Sequence, residues 1–356
     1  SQTMKRKEYI LLSAALLIAF TSCDKSRNNP ELVKENDKID FVTTPFHESF
    51  IQANQARGSE TGNDDMQNFG IYAYYTTDTF TPGTSSPNFM CNTRVQKANE
   101  QWTYAPLMYW PSSGNLSFFA YSPYAEANDL YSALTSTNTT SGYPRLTYTV
   151  PDAIITQRDL LVSLPLIDQT KANTNSNGKL PLTFKHALSS IVFKAKMSSS
   201  CDFPVRVTSI TLGDFKHKAT LSYVNSPEIF SWTTTQDAED KSYTLSTNNT
   251  DPGLEDTDLS KITNEYTSIT STNSHLMLLP QEIDASDEIQ VSVEYRFAAE
   301  SIQTRVITVS LKQIINSLES GKRYSINILV SALANITLTC TVAPWIPETV
   351  NVPEFK

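Results

Sequence analysis

The stretch EIQVSVEYRF (residues 288–297) decides the fold class. Ile289, Val291, Val293, Tyr295 and Phe297 fall on one side of an extended chain, and polar residues fill most of the other. A period of two describes a β-strand with one face on a core and one in water. The same alternation recurs outward in both directions. IVFKAKM aligns Ile191, Phe193, Ala195 and Met197; YSINILV aligns Tyr324, Ile326, Ile328 and Val330. NITLTCTV aligns Ile336, Leu338, Cys340 and Val342. Clusters of Asn, Pro, Gly and Ser separate these runs and read as turns. The expected class is all-β, built as sandwiches. Two short segments, EANDLYSAL (126–134) and KQIINSLES (312–320), carry helical spacing.

A chain of 356 residues is long enough for two domains. The polar stretch KANTNSNGKLP (171–181) marks the expected break, giving an N-terminal sandwich over 38–180 and a C-terminal one over 181–356. A second polar stretch, 233–272, reads as surface loops with one or two weak strands. The net charge is −9 and charged residues make up 18% of the chain, below the ~25% of an average domain. With no basic stripe, nucleic acid is not an expected partner.

The front of the chain has its own logic. Met4–Lys7 is basic, Ile10–Phe20 is apolar, and Thr21, Ser22 and Cys23 are small. That order describes an export signal over residues 1–22, and its apolar run falls short of the ~20 residues of a membrane span. The cysteine resembles the lipobox of bacterial lipoproteins, which implies that Cys23 becomes the lipidated N-terminus. Residues 23–37 then read as a polar tether. Lipid on Cys23 leaves Cys91, Cys201 and Cys340. An odd, widely spaced set is no disulfide framework. Buried free thiols are expected, with one bridge among the three as the alternative.

Catalytic and metal constellations are not found. The metalloprotease, hydrolase-elbow and phosphate-loop motifs are missing. His47, His186, His217 and His275 show no ligand spacing, and the carboxylates of DPGLEDTD (251–258) depart from the calcium-loop pattern. No cofactor is expected. The aromatic segments QWTYAPLMYWP and FFAYSPY could present rings to a glycan, but their strand-like patterning favours core packing.

Several segments together resemble the fimbrillin family. These are WTYAPLMYWPSSGNLSFFAYSPY (102–124), RDLLVS (158–163), LPLTFKHALSSIVFKAKM (180–197), LESGKRYSINILV (318–330) and LTCTVAPW (338–345). The resemblance implies two tandem transthyretin-like β-sandwiches and a structural role as shaft, tip or anchor of a type V pilus. It implies a lipoprotein precursor at the outer membrane, cut by an Arg-specific protease behind the first strand. A strand from the next subunit then fills the vacated groove. KIDFVTTPF (38–46) reads as that first strand, with Ile39 and Phe41 alternating. Arg57, in the polar stretch that follows, matches the family's cleavage position; a plain loop arginine is the alternative. The expected partners are other pilus subunits, the membrane through the lipid, and a host glycan or protein. A surface lipoprotein that binds glycan or host protein without polymerising is the competing reading. The tail IPETVNVPEFK carries Pro347 and Pro353, which confine any strand there to an edge and favour a tip over a shaft subunit.

Overall fold

The computed structural model describes residues 37–45, 66–125, 131–134, 140–174, 178–199, 201, 203–224, 229–235, 239–247, 253–262, 265–271, 274–331 and 334–345. Cys23, Arg57, His47 and the tail from residue 346 lie outside these residues. The described chain is all-β. Its strands are β1 (Asp40–Pro45), β2 (Asn68–Thr76), β3 (Met90–Ala98), β4 (Gln101–Tyr104), β5 (Asn115–Ser122), β6 (Tyr131–Leu134), β7 (Arg145–Thr149) and β8 (Leu161–Ser163). Next come β9 (Leu166–Gln169), β10 (Lys179–His186), β11 (Ser189–Met197), β12 (Val205–Lys216), β13 (Lys218–Tyr223), β14 (Phe230–Thr234), β15 (Asp240–Ser246) and β16 (Thr267–Ser268). The last are β17 (Leu276–Leu278), β18 (Gln281–Glu282), β19 (Glu288–Tyr295), β20 (Gln303–Ser310), β21 (Ser317–Leu318), β22 (Lys322–Ser331) and β23 (Asn335–Pro344).

The first sheet runs β1-β10-β8-β5-β2-β3-β4, with β9 on β5. It curls until its ends meet. The Ile39 N–H donates to Met108 O at 2.9 Å and the Trp110 N–H to Asp37 O at 2.8 Å, so the lead-in to β1 bonds to the chain just past β4. Inside the curl lie Ile39, Phe41, Phe69, Ile71, Val95, Leu116, Phe118, Leu180 and Leu182, all buried. The opposite faces of β2 and β5 are buried too. Tyr72, Tyr74, Phe119 and Tyr121 pack with Leu146, Tyr148 and Tyr223, which belong to the sheet β14-β13-β7-β6. Strands covered on both faces read as continuous apolar runs rather than alternating ones, which is why FGIYAYYT and LSFFAYS lack a polar side. Closeness in this layer also fixes Gly70, where a Cβ would sit 2.4 Å from the Tyr121 ring.

Most of the remaining strands form a sandwich of β16-β11-β22-β23, with β17 on β11, over β15-β12-β19-β20, while β18 and β21 pair with each other as a separate two-stranded sheet. The alternating runs meet as the sequence predicts: Ile191, Phe193, Ile289, Val291, Val293, Ile326 and Ile328 are all buried in one core. β11 and β22 pair in parallel from Ser190↔Arg323 to Met197↔Val330. The expected boundary at residue 180 falls inside β10, which ladders onto β1 and β8 of the first sheet. The chain crosses over at Ala187 and Leu188. There Ala187 O accepts from Trp232 Nε1 at 3.0 Å and Ser320 Oγ at 2.9 Å, and Leu188 O accepts from the Gly321 N–H at 2.9 Å.

Three expectations are corrected. In the first helical candidate Tyr131–Leu134 is strand β6, paired to β7. The second holds a 3₁₀ turn at Leu311–Gln313 and strand β21. Its apolar residues Ile315 and Leu318 do point to the core, as does Leu311 just before it. A segment this short gains little as an isolated helix, so its backbone bonds to neighbouring strands instead. The polar stretch 233–272 is not all surface loop: β15 pairs with β12, and Tyr243, Leu245, Leu254, Leu259 and Ile269 are buried. Few apolar residues suffice there because each one faces inward. Cys91, Cys201 and Cys340 are in no disulfide, but Cys91 is exposed and the other two are half-buried rather than buried.

Tyr223 joins the layers. Its hydroxyl donates toward Ala120 O at 3.0 Å and Ser163 O at 2.9 Å, and its ring meets Phe119 at 4.8 Å. Tyr223→Phe keeps the ring and strands both carbonyls. The expected loss, read by chemical denaturation, is about 1–3 kcal/mol; an unchanged midpoint would show that the hydroxyl holds nothing.

Candidate functional site: the seat of the first strand

β1 reaches its place by an unusual route. Its ladder is parallel to β10, in register from Asp40↔Lys179 to Pro45↔Phe184. Parallel neighbours cannot be joined by a tight turn. Here the chain passes through all of β2 to β9 before it returns as β10. The only covalent link between β1 and the rest of the fold is therefore residues 46–65, which hold Arg57.

The side chains predicted for the first strand are the ones that hold it. Ile39 is fully buried and Phe41 is 3% exposed. The Phe41 ring sits among Phe69 at 5.8 Å, Tyr104 at 5.7 Å and Phe118 at 6.2 Å, edge-on to the first and last. Such pairs add ~0.5–1.5 kcal/mol beyond area burial, and each buried apolar side chain contributes about 1.5–3 kcal/mol. The Tyr104 hydroxyl donates to Ile39 O at 2.6 Å. Burial pushes its pKa up to about 12, so it stays protonated and remains a donor. Lys38 pairs with Asp40 at 2.8 Å and Lys171 pairs with Asp37, all partly exposed. Ion pairs of that kind contribute little.

The seat itself is apolar. On β10, Leu180, Leu182 and Phe184 are buried in the same cluster as Ile39 and Phe41. The sequence alternation KLPLTFKH contains that signal. Tyr104 and Trp110, which close the other side, carried no local sign of contact with β1. The aromatic segment packs rather than presents: Tyr104 and Trp110 are buried, and half-buried Trp102 lies 5.0 Å edge-on to Phe69. Tyr109 is half-buried beside Lys38.

Of the histidines, His186 bonds to the buried Asp159 at 2.7 Å and stacks on Trp345 at 4.1 Å. His217 bonds to Glu239 O. Among the described residues no group of three or more His, Cys, Asp and Glu gathers as a metal site.

Phe41→Ala removes the ring from this cage. The expected cost is about 3–5 kcal/mol, with faster hydrogen exchange confined first to residues 37–45 and β10. If those amides exchange as in the unaltered chain, Phe41 does not seat the strand.

Comparison with known proteins follows the same outline. A model of fimbrillin-like proteins matches residues 56–345. Fimbrium subunit Fim1C of Phocaeicola vulgatus is 28% identical over 216 residues, which are 52% of this chain. The match spans 56% of that relative's length. A crystal structure of a fimbrial protein from Bacteroides vulgatus has the same fold, with a TM-score of 0.62 and 21% identity over 78% of this chain and 93% of that one. With most of its length matched by one family, this chain belongs to the fimbrillin-like proteins.

Proposed function

We propose that the chain is a structural subunit of a cell-surface pilus, assembled by exchange of its first strand. The supporting observation is the seat of β1: an apolar strand, buried through Ile39 and Phe41, that one peptide segment ties to the fold. A cut after Arg57 leaves β1 held by non-covalent contacts alone. Its departure uncovers the β10 edge and the side chains Leu180, Leu182 and Phe184 together. An unpaired edge beside open core is strongly driven to take a new strand. A donor from another subunit satisfies both, with the main chain giving affinity and alternate pockets giving register. The family match begins at residue 56, beside Arg57 and downstream of β1, which fits a first strand that is discarded.

Under this reading Cys23 carries lipid after removal of residues 1–22, and residues 23–37 tether the precursor to the outer membrane. Cleavage frees the subunit from that anchor for use in adhesion. The partners are other pilus subunits, with no enzymatic activity, cofactor or nucleic acid involved. The non-polymerising glycan binder has less support, because Tyr104 is buried and Trp102 lies edge-on to Phe69.

The test is proteolysis of the purified precursor with an Arg-specific protease. The expected products are a fragment ending at residue 57 and a ladder of oligomers, with Arg57→Ala blocking both. If Arg57→Ala is cut and polymerises like the unaltered chain, the cleavage site is misassigned. Clean cutting that yields only monomer would sink strand exchange. Immunogold labelling of cells then reads shaft, tip or base.

A further inference from the structure

The sandwich protects its edges unequally. On one side, the last residue of β15 is covered by the chain that follows it, where the N–H groups of Gly253 and Leu254 donate to Ser246 O at 3.1 and 3.0 Å. The Glu255 N–H then bonds to Ile269 O at 2.8 Å, next to β16. The other side ends in β20 and β23. Among the described residues nothing bonds to the outer edge of β23. That strand pairs with β22 from Lys322↔Pro344 to Ser331↔Asn335 with no shift of register, and it contains no charged residue. Long, flat, uncharged edges are what soluble proteins avoid unless they are used. β20 differs in carrying Arg305 in its middle.

The backbone phase of β23 can be read from its neighbours. The Trp345 N–H donates to Gly321 O, and Val330 O on the far side of β22 accepts from the Ser198 N–H. Odd-numbered residues of β23 therefore bond to β22, and even-numbered ones aim their backbone groups outward. The outward set is Ile336, Leu338, Cys340 and Val342, followed by Pro344, which has no donor. The proline-free set is symmetric about Thr339. A second β23 laid antiparallel and centred on Thr339 puts Ile336 opposite Val342 and Leu338 opposite Cys340. Every outward N–H of the set then meets a carbonyl. The same side chains make apolar pairs on the core-facing side, where Val342 is otherwise 51% exposed. On the outer side Thr337 meets Thr341 and Thr339 meets itself, and no like charges oppose. Such self-complementarity is the requirement of a two-fold interface.

We infer that the free edge of β23 is a docking surface for a second copy of this chain, joined antiparallel about Thr339 into one continuous sheet. This contact lies on a different sheet from the seat of β1 and does not depend on strand exchange.

The test uses the uncut full chain. Light scattering after gel filtration should show a dimer that dissociates on dilution. Thr339→Cys places two thiols in a pair whose Cβ atoms lie about 4.5–5.5 Å apart. Mild oxidation should therefore give a disulfide dimer absent from the unaltered chain and from Thr304→Cys on β20. Thr339→Lys, at an exposed position, sets two ammonium groups face to face and should weaken the dimer at least about tenfold with an unchanged circular dichroism spectrum. A monomer at all concentrations overturns the proposal, as does a dimer that fails either variant. If the thiols of Thr304→Cys cross-link instead, the interface is β20 and the assignment to β23 is wrong.

Discussion

The parallel ladder between β1 and β10 is the constraint from which the rest of the first unit follows. Two parallel strands need a long crossover, and here that crossover is the remainder of the first unit. Under the proposed strand exchange, β1 could leave without opening a hairpin, because its ladder partner β10 is not its neighbour in sequence. An antiparallel hairpin in the same position would hold its first strand by a short covalent loop and by local pairing. The chain instead enters by β1, builds the curled sheet, and ends it with β10 against the strand it began with. That order makes β1 part of the core while residues 46–65 alone join it to the strands that follow.

What remains when β1 is absent is set by the middle layer. β2 and β5 are buried on both faces, by the small core around Phe41 and Phe118 on one side and by the sheet carrying Tyr148 and Tyr223 on the other. The second set of contacts does not involve β1. Tyr223 ties that sheet to Ala120 O and Ser163 O by hydrogen bonds whose partners lie outside β1. Loss of Ile39 and Phe41 thus opens one face of the layer while the other stays packed. A groove with one wall intact can keep its shape for an incoming strand, whereas a layer held from one side only would collapse into it.

The strands of the sandwich were legible because each has one wet face: EIQVSVEYRF and YSINILV state their inward residues by alternation alone. Strand partners were not, since β1 and β10 share only an alternation and lie far apart in sequence. Tyr104 is the clearest loss. Its hydroxyl bonds to the backbone carbonyl of Ile39, just before β1, and no local pattern encodes a long-range bond to main chain. The stretch 233–272 misled for a related reason. Averaged over the segment its composition is polar, yet Tyr243 and Leu245 obey the period of two. At Tyr131–Leu134, helical spacing was outweighed by pairing of β6 to β7, because neighbouring strands offer the backbone bonds that a short helix cannot. Cys23 and Arg57 lie outside the described residues, so the processing roles proposed for them rest on sequence alone.

The edges of the fold follow one rule at two places. A strand edge left bare costs little in water but invites pairing. At β1 the curl of the first sheet removes the invitation, since Met108 and Trp110 bond to the lead-in of that strand. Cleavage would restore it on demand. At β23 no such cover exists among the described residues, and the strand carries no charge and no bulge, its one proline, Pro344, standing at the very end of its paired length. An edge that selection had only to silence would need one lysine among Thr337, Thr339 and Thr341, all exposed. That none of these positions carries a charge places the burden on a partner that β23 itself can match, and its symmetric, uncharged sequence matches its own copy.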